Sequence, residues 1–400
     1  MWYSLFIFIC IAKVSSHDAP HTHHHTIIDA FIDRLQLETW EKEETPCLEK
    51  TLTLLENVKN FTLWATWVWN ANTIPMGNLY GSWVNVGNFD QCMKPPWLES
   101  HPEFRTKYCL AELSLSDKPK KKAEYDPYGS TEEYLNSPTT SGLPVNHLSW
   151  GICVPASCHP PSILKMTRSM YDLTTFGSLA PNITVHSCQV SGESPQHGIG
   201  FYLFITLILT LIVIATASTY YRLRLANNDD PSDSLETVIT KSFCIAENHQ
   251  DLMKDNKEDI RVMNGIRFLT AASVIIVHQC LYYNISGVIN SRDYDKAVEG
   301  VGGILLHLDV VVDTFFVMSG LLHIKGLLNN INRHQNLFSV LWKRYVRLIG
   351  PFALIMFYLV SVSKFTGTGP LWIYANENES EVCLKTWSLS LLMLNTDPKF

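Results

Sequence analysis

The uncharged run from Ile199 to Tyr220, IGFYLFITLILTLIVIATASTY, leaves this chain few ways to fold. Inside a bilayer every backbone polar group must be satisfied within the protein, so a lone apolar segment crosses only as a helix. At 1.5 Å per residue, roughly 20 residues cover the ~30 Å hydrocarbon core. Three further apolar segments follow, at about Ile266 to Val288, Val301 to Leu322 and Leu348 to Phe365, and another opens near Trp387. The chain thus divides at Ile199 into an N-terminal part without a spanning run and a C-terminal part built from several. A net charge of −7 gives no basic surplus of the kind that points to nucleic acid.

Orientation follows from two independent features. Met1 to Ser16, MWYSLFIFICIAKVSS, is short, apolar and ends in small residues, as a cleaved secretory signal does. With the next segment lumenal, loops 222–263 and 323–347 become cytosolic. Those loops hold Arg222, Arg224, Lys254, Lys257, Arg261, Lys325, Arg333, Lys343, Arg344 and Arg347, the positive-inside pattern. The N-x-[ST] sequons at Asn60, Asn182, Asn284 and Asn378 all fall on the opposite side. Asn284 lies close to the bilayer, which leaves Asn60, Asn182 and Asn378 as the expected glycosylation sites. These readings predict a multi-pass protein of the plasma membrane or an endomembrane, its N-terminal domain lumenal or extracellular.

Between signal and first span stand Cys47, Cys92, Cys109, Cys153, Cys158 and Cys188. An even count in an oxidising compartment predicts three disulfides, with connectivity left open by the spacing. Zinc is the weaker reading, because only Cys153 and Cys158 are close and no paired histidines follow them. No metal is expected; the histidine-rich HDAPHTHHH at 17–25 reads as a frayed mature terminus. The lysine run in DKPKKKAEYD at 117–126 reads as a solvated loop. TPCLEKTLTLLENVKNFTLWATWVWNA has helical apolar spacing, and the following NANTIPMGNLYGSWVNVGNFDQC is broken by Pro and Gly. The fold class expected is mainly α: a disulfide-rich, largely helical ectodomain with long loops, followed by part of a polytopic helical bundle.

The apolar segments of the C-terminal part contain residues that a bilayer tolerates poorly. Arg267 and His278 lie eleven residues apart, about three helical turns, so they occupy one face roughly 16 Å apart along the axis. Arg267 has an exit to the cytosolic interface by snorkelling, whereas His278 lies too deep for one. The next segment carries Asp309 and Asp313, one turn apart; Asp313 is placed to orient His278 or to pair with an arginine, for catalysis or simply to hold the bundle together. Ser319 and Gly320 suit close helix packing. Arg344 and Arg347, three apart, share a face suited to an anionic phosphate, although the positive-inside pattern alone would also put basic residues there.

Several words carry resemblances. GNFDQC, Tyr108-Cys109 and WGICVPASC at 150–158 resemble the N-terminal domain of the nose-resistant-to-fluoxetine proteins of invertebrates, over about 45–190. Arg267 with ten residues before His278, DTFFVMSGLL at 313–322 and KRYVRLIGP at 343–351 resemble, in order, the first helices of the acyltransferase-3 family. The implied layout is a signal peptide at 1–16, a cysteine-rich domain at 17–198, a transmembrane helix at 199–221, a cytosolic linker at 222–262 and the N-terminal part of an acyltransferase-3 module at 263–400. The family's module is longer, so the chain reads as a truncated form of it.

The resemblance implies transfer of an acyl group, other than amino-acyl, from acyl-CoA to a hydroxyl on a membrane lipid or carbohydrate acceptor. Acyl-CoA is then a donor substrate and no cofactor stays bound. His278 and Asp313 would be catalytic, His278 either taking the proton of the acceptor hydroxyl or carrying the acyl group briefly. Arg267, Arg344 and Arg347 would hold the CoA phosphates. The alternative implied by the first resemblance is movement of lipids or drugs across epithelia without catalysis, with the polar stripe as a carrier's path.

Overall fold

The computed structural model describes residues 26–115, 127–137, 146–179, 181–194, 196–225, 235–254, 260–285, 287–299, 303, 309–329 and 337–394. The expected signal segment Met1–Ser16, the histidine-rich 17–25, the lysine run at 117–126 and the first residues of the expected span at Val301 lie outside them, Gly303 excepted.

The N-terminal part folds as helices packed on a small sheet. Helices α1 (Ile27–Leu37), α2 (Thr45–Lys59) and α3 (Leu63–Asn70) open it. Thr26 and Asp29 cap α1 reciprocally, each satisfying the other's free backbone N–H. The helical spacing read across TPCLEKTLTLLENVKNFTLWATWVWNA appears as α2 and α3, broken where Phe61 takes a positive φ of 53°. The turn-rich stretch after them carries the 3-10 turn Asn78–Tyr80, bracketed by left-handed Gly77 and Gly81.

Strand β1 (Val84–Asn85), helix α4 (Phe89–Met93), strand β2 (Thr106–Ser114), helix α5 (Thr131–Leu135), strand β3 (His147–Pro155), helix α6 (Pro160–Tyr171) and strand β4 (Asn182–Val190) complete the domain. The sheet order is β1-β3-β2-β4, with β1 parallel to β3 and the other pairs antiparallel. Its two central strands, β2 and β3, are buried along most of their length rather than on alternate residues. A strand covered on both faces has no period-two signature, so this sheet was not legible from alternation.

Trp150 of β3 is fully buried in the core, and its indole N–H donates to the carbonyl of Thr73 at 2.9 Å. Asn72 stitches the helices to β3: its amide donates to the Cys153 carbonyl at 3.0 Å and its side-chain oxygen accepts the Cys153 N–H at 2.7 Å. A side chain at Gly151 would collide with the Tyr108 hydroxyl and the Val86 carbonyl. The six cysteines pair as Cys47–Cys158, Cys92–Cys153 and Cys109–Cys188. The last joins residues directly opposite each other on β2 and β4.

The second part is helical: α7 (Ile199–Leu225), α8 (Leu235–Phe243), α9 (Ile245–Met253), α10 (Arg261–Ile285), α11 (Ser291–Glu299), α12 (Asp309–Asn329), α13 (Leu337–Ser361) and α14 (Pro370–Leu391). Among the described residues, three stretches are long and apolar enough to cross a bilayer: Ile199–Arg224, Val262–Cys280 and Phe338–Ser361. By length and composition the chain is a membrane protein. Two boundaries differ from the sequence expectation. The helix expected at Leu348–Phe365 starts at Leu337 and ends at Ser361, because the basic word KRYVR continues its apolar face instead of preceding it. The segment expected from Trp387 is already helical from Pro370, where acidic residues at 377, 379 and 381 hid it from hydropathy. The stretch read as a linker holds α8 and α9, which dock under α7 through Arg222 to Glu247 at 2.7 Å and the Ile245 N–H to Thr219 at 2.9 Å.

Helices α7 and α13 run antiparallel, with Phe204 packed on Phe357 and Tyr358. Helix α14 returns along α13, joined by Ser380 to the Val360 carbonyl at one end and Tyr345 to the Leu391 carbonyl at the other. Among the described residues, contacts on two sides tie this bundle to the disulfide domain. Tyr80 donates to Asp293 of α11 at 2.8 Å, beside the Arg292 guanidinium lying 4.4 Å over the Tyr134 ring. On the other side, Tyr374 of α14 packs on His186 of β4 at 5.2 Å.

Candidate functional site

Helices α10, α12 and α13 enclose an open cleft of about 690 Å³ at the bundle end away from the disulfide domain. Its walls include Arg267 from α10, Ser319 and His323 from α12, and Lys343, Arg344 and Arg347 from α13. The periodicity of each helix explains the grouping. Ser319 and His323 are four residues apart and Arg344 and Arg347 three, so each pair presents to one side.

The electrostatics of the cleft are one-sided. Among the described residues, four basic side chains line it and no carboxylate does. Arg344 is held by a neutral group: its Nη2 donates to the Ser319 hydroxyl. That bond fixes the guanidinium without cancelling its charge, so the positive potential remains available to an anionic ligand. A planar fork so fixed, with further cations alongside, matches the geometry of phosphate oxygens.

Of the residues singled out in the sequence, the structure brings Arg267, Arg344 and Arg347 into this cleft and leaves His278 and Asp313 off its lining. His278 lies about three turns further along α10, exposed on the helix surface. Its Nδ1 sits 2.9 Å from the carbonyl of Val274, one turn earlier. A carbonyl only accepts, so Nδ1 carries a proton and donates it there, and Nε2 is the ring nitrogen that this bond leaves unused. The group that sets the tautomer is therefore Val274 of the same helix. Asp313 is exposed on α12; for Asp309 only the backbone is described, as the first residue of that helix.

Sequence reasoning gave Ser319 a packing role and missed His323 and Lys343 as lining residues. The signal was present in SGLLH, where a hydroxyl and an imidazole recur at helical spacing. It carries meaning only once α13 supplies the guanidinium.

Asn60, Asn182 and Asn378 are all exposed. Asn60 closes α2, Asn182 opens β4 and Asn378 sits on α14. For the fourth sequon, Asn284, only the helical backbone of α10 is described. Among the described residues no group of three or more metal-ligating side chains comes together.

Residues 47–167 match the family model of the nose resistant-to-fluoxetine protein, N-terminal domain. Over those residues the disulfide domain is similar to that family's N-terminal domain. The match opens at Cys47 and takes in both cysteines of two disulfides, but of the third pair it includes Cys109 and not Cys188. As a folded unit the disulfide domain extends beyond the match to β4, which pairs with β2 and is bonded to it covalently.

The chain is similar to Nose resistant to fluoxetine protein 6 of Caenorhabditis elegans, at 22% identity over 417 residues. That similarity covers 90% of this chain and 49% of the relative, so the chain spans about half the length of the curated protein it matches. The similarity runs beyond the disulfide domain into the helical part. No solved structure matches the chain.

Proposed function

We propose that this chain is a membrane-bound O-acyltransferase-like protein, moving an acyl group from acyl-CoA to a hydroxyl of a lipid or sugar acceptor. The observation that supports this reading is the basic cleft of Arg267, Lys343, Arg344 and Arg347, lined by no carboxylate among the described residues, with His278 on the same helix as Arg267. In this reading the N-terminal domain is lumenal or extracellular, following a cleaved signal peptide, and the basic cleft opens to the cytosol.

The phosphates of CoA lie among the arginines, with Arg344 held by Ser319. The pantetheine arm then runs up α10 toward His278, over the roughly 16 Å that eleven helical residues span. His278 Nε2 takes the proton of the acceptor hydroxyl as its oxygen attacks the thioester carbonyl. The C–S bond breaks, and the departing thiolate takes that proton from the imidazolium, giving an ester and free CoA. Asp313 has an electrostatic role, favouring the imidazolium from the neighbouring helix.

The test is to incubate membranes bearing the protein with labelled acyl-CoA and to follow label into lipid and carbohydrate fractions. Transfer that disappears in His278→Ala, with acyl-CoA binding retained, supports the reading. Unchanged transfer in that variant, or movement of lipid across the membrane without any acylated product, removes it.

A further inference from the structure

We propose that the seam between the disulfide domain and the membrane helices is a binding site for the zwitterionic head group of a phospholipid. This inference is independent of the acyl-transfer reading, since it concerns the opposite end of the bundle. A cleft of about 890 Å³ lies there, walled by α4 and the end of β4 on one side and by the turn after α13 and the start of α14 on the other. That volume falls within the roughly 300–1,000 Å³ of small-molecule sites.

The location fixes the kind of ligand. Phe365 lines the cleft, and its ring packs 5.4 Å from that of Phe201, in the first turn of α7. His197 stacks on the same Phe201 at 4.2 Å. The spanning stretch of α7 begins at Ile199, so the floor of the cleft coincides with the edge of the apolar belt. A molecule lodged here has bilayer beside it and polar protein above it.

The lining fixes the head group. Both signs of charge are present: Lys94 and Glu193 on the domain wall, Lys364 on the bundle wall. Lys94 pairs at 2.7 Å with Asp90, which also lines the cleft; Lys364 adds a cation on the bundle wall, and Glu193, within the field of Lys107, adds an anion. Phe89 and Phe365 supply aromatic surface of the kind that attracts a quaternary ammonium. Lysine for phosphate, glutamate and aromatic rings for the amine is the complement of phosphocholine. A purely anionic head would face the carboxylates of Asp90 and Glu193 with no amine of its own to meet them.

The cavity is held open by its surroundings. Beyond Ile373, which lines it, Tyr374 packs on His186 and shares a hydrogen bond with Glu112. Glu112 in turn pairs with His186 at 2.8 Å. The two walls are therefore bridged by a polar cluster at the margin of the site.

The experiment uses the full chain in nanodiscs with a photoreactive phosphatidylcholine, compared with the same probe built on phosphatidylglycerol. Label is expected on peptides covering 189–194 and 364–373 with the choline probe, and about tenfold less in Lys364→Glu and in Glu193→Lys, the value of one charge-assisted contact. An unchanged disulfide map in both variants shows that they fold. Equal labelling by the glycerol probe, or labelling indifferent to both substitutions, would each overturn the site as one for a zwitterionic phospholipid head group.

Discussion

At the scale of single residues, the chemistry turns on groups whose charge or tautomer is set by a neighbour. Ser319 holds Arg344 without neutralising it, so on the proposed acyl-transfer reading Ser319→Ala should raise the KM for acyl-CoA by about tenfold or more, a charged hydrogen bond being worth roughly 1.5–3 kcal/mol, while kcat stays near its original value. Steady-state kinetics on membranes separates the two. In the disulfide domain, the Lys165 ammonium beside Glu44 holds the Glu44 carboxyl below its ordinary 4.5, helped by the Glu41 N–H. A depressed carboxylate stabilises the fold above its unfolded pKa and loses that contribution as pH falls through the folded value. Glu44→Gln should therefore lower the melting temperature at pH 7, with the gap to the unaltered protein closing as pH falls below about 4. Gly151 is a third such position. A methyl there strikes a hydroxyl and a backbone carbonyl at once, and Gly151→Ala should cost about 1–3 kcal/mol in denaturant unfolding.

At the scale of elements, the long-range disulfides set how the N-terminal domain holds together. Cys47 and Cys158 are 111 residues apart in sequence, joining the start of α2 to the start of α6. Replacing both by alanine should cost roughly 2–5 kcal/mol, read from thermal unfolding of the chain in nanodiscs. The elements differ in how far the sequence discloses them. Helices α2, α3 and α7 were legible because each has either one apolar stripe or, in α7, an apolar run without a charge before Arg222. Strands β2 and β3 were not, since burial on both faces removes the alternation that marks a strand. The arginines of the basic cleft stood out as charges in apolar surroundings, the one place where hydropathy itself flags function. Ser319 and His323 did not, because a serine and a histidine on a helix acquire a role only from what faces them. Nothing in KRYVRLIGP alone says that Ser319 is the facing residue; that requires α12 and α13 to be packed together.

At the scale of the whole molecule, the disulfide domain and the spanning helices meet at two separate places, through α11 on one side and α14 on the other. If the domain is lumenal, Asn60, Asn182 and Asn378 stand on the glycosylated side. Each Asn→Gln change should then remove one endoglycosidase-sensitive step in electrophoretic mobility, including the one on α14, whereas Asn284→Gln should remove none. The docking of α11 has a further consequence for biogenesis. Tyr80 and Tyr134 leave the ribosome well before Asp293 and Arg292, so their domain is the older surface when α11 arrives. A short hydrophilic helix between two membrane segments thus finds a template waiting on its own side of the membrane. With the domain on that side, its contacts with α11 would fix the end of α10 before the segments that complete the basic cleft are synthesised.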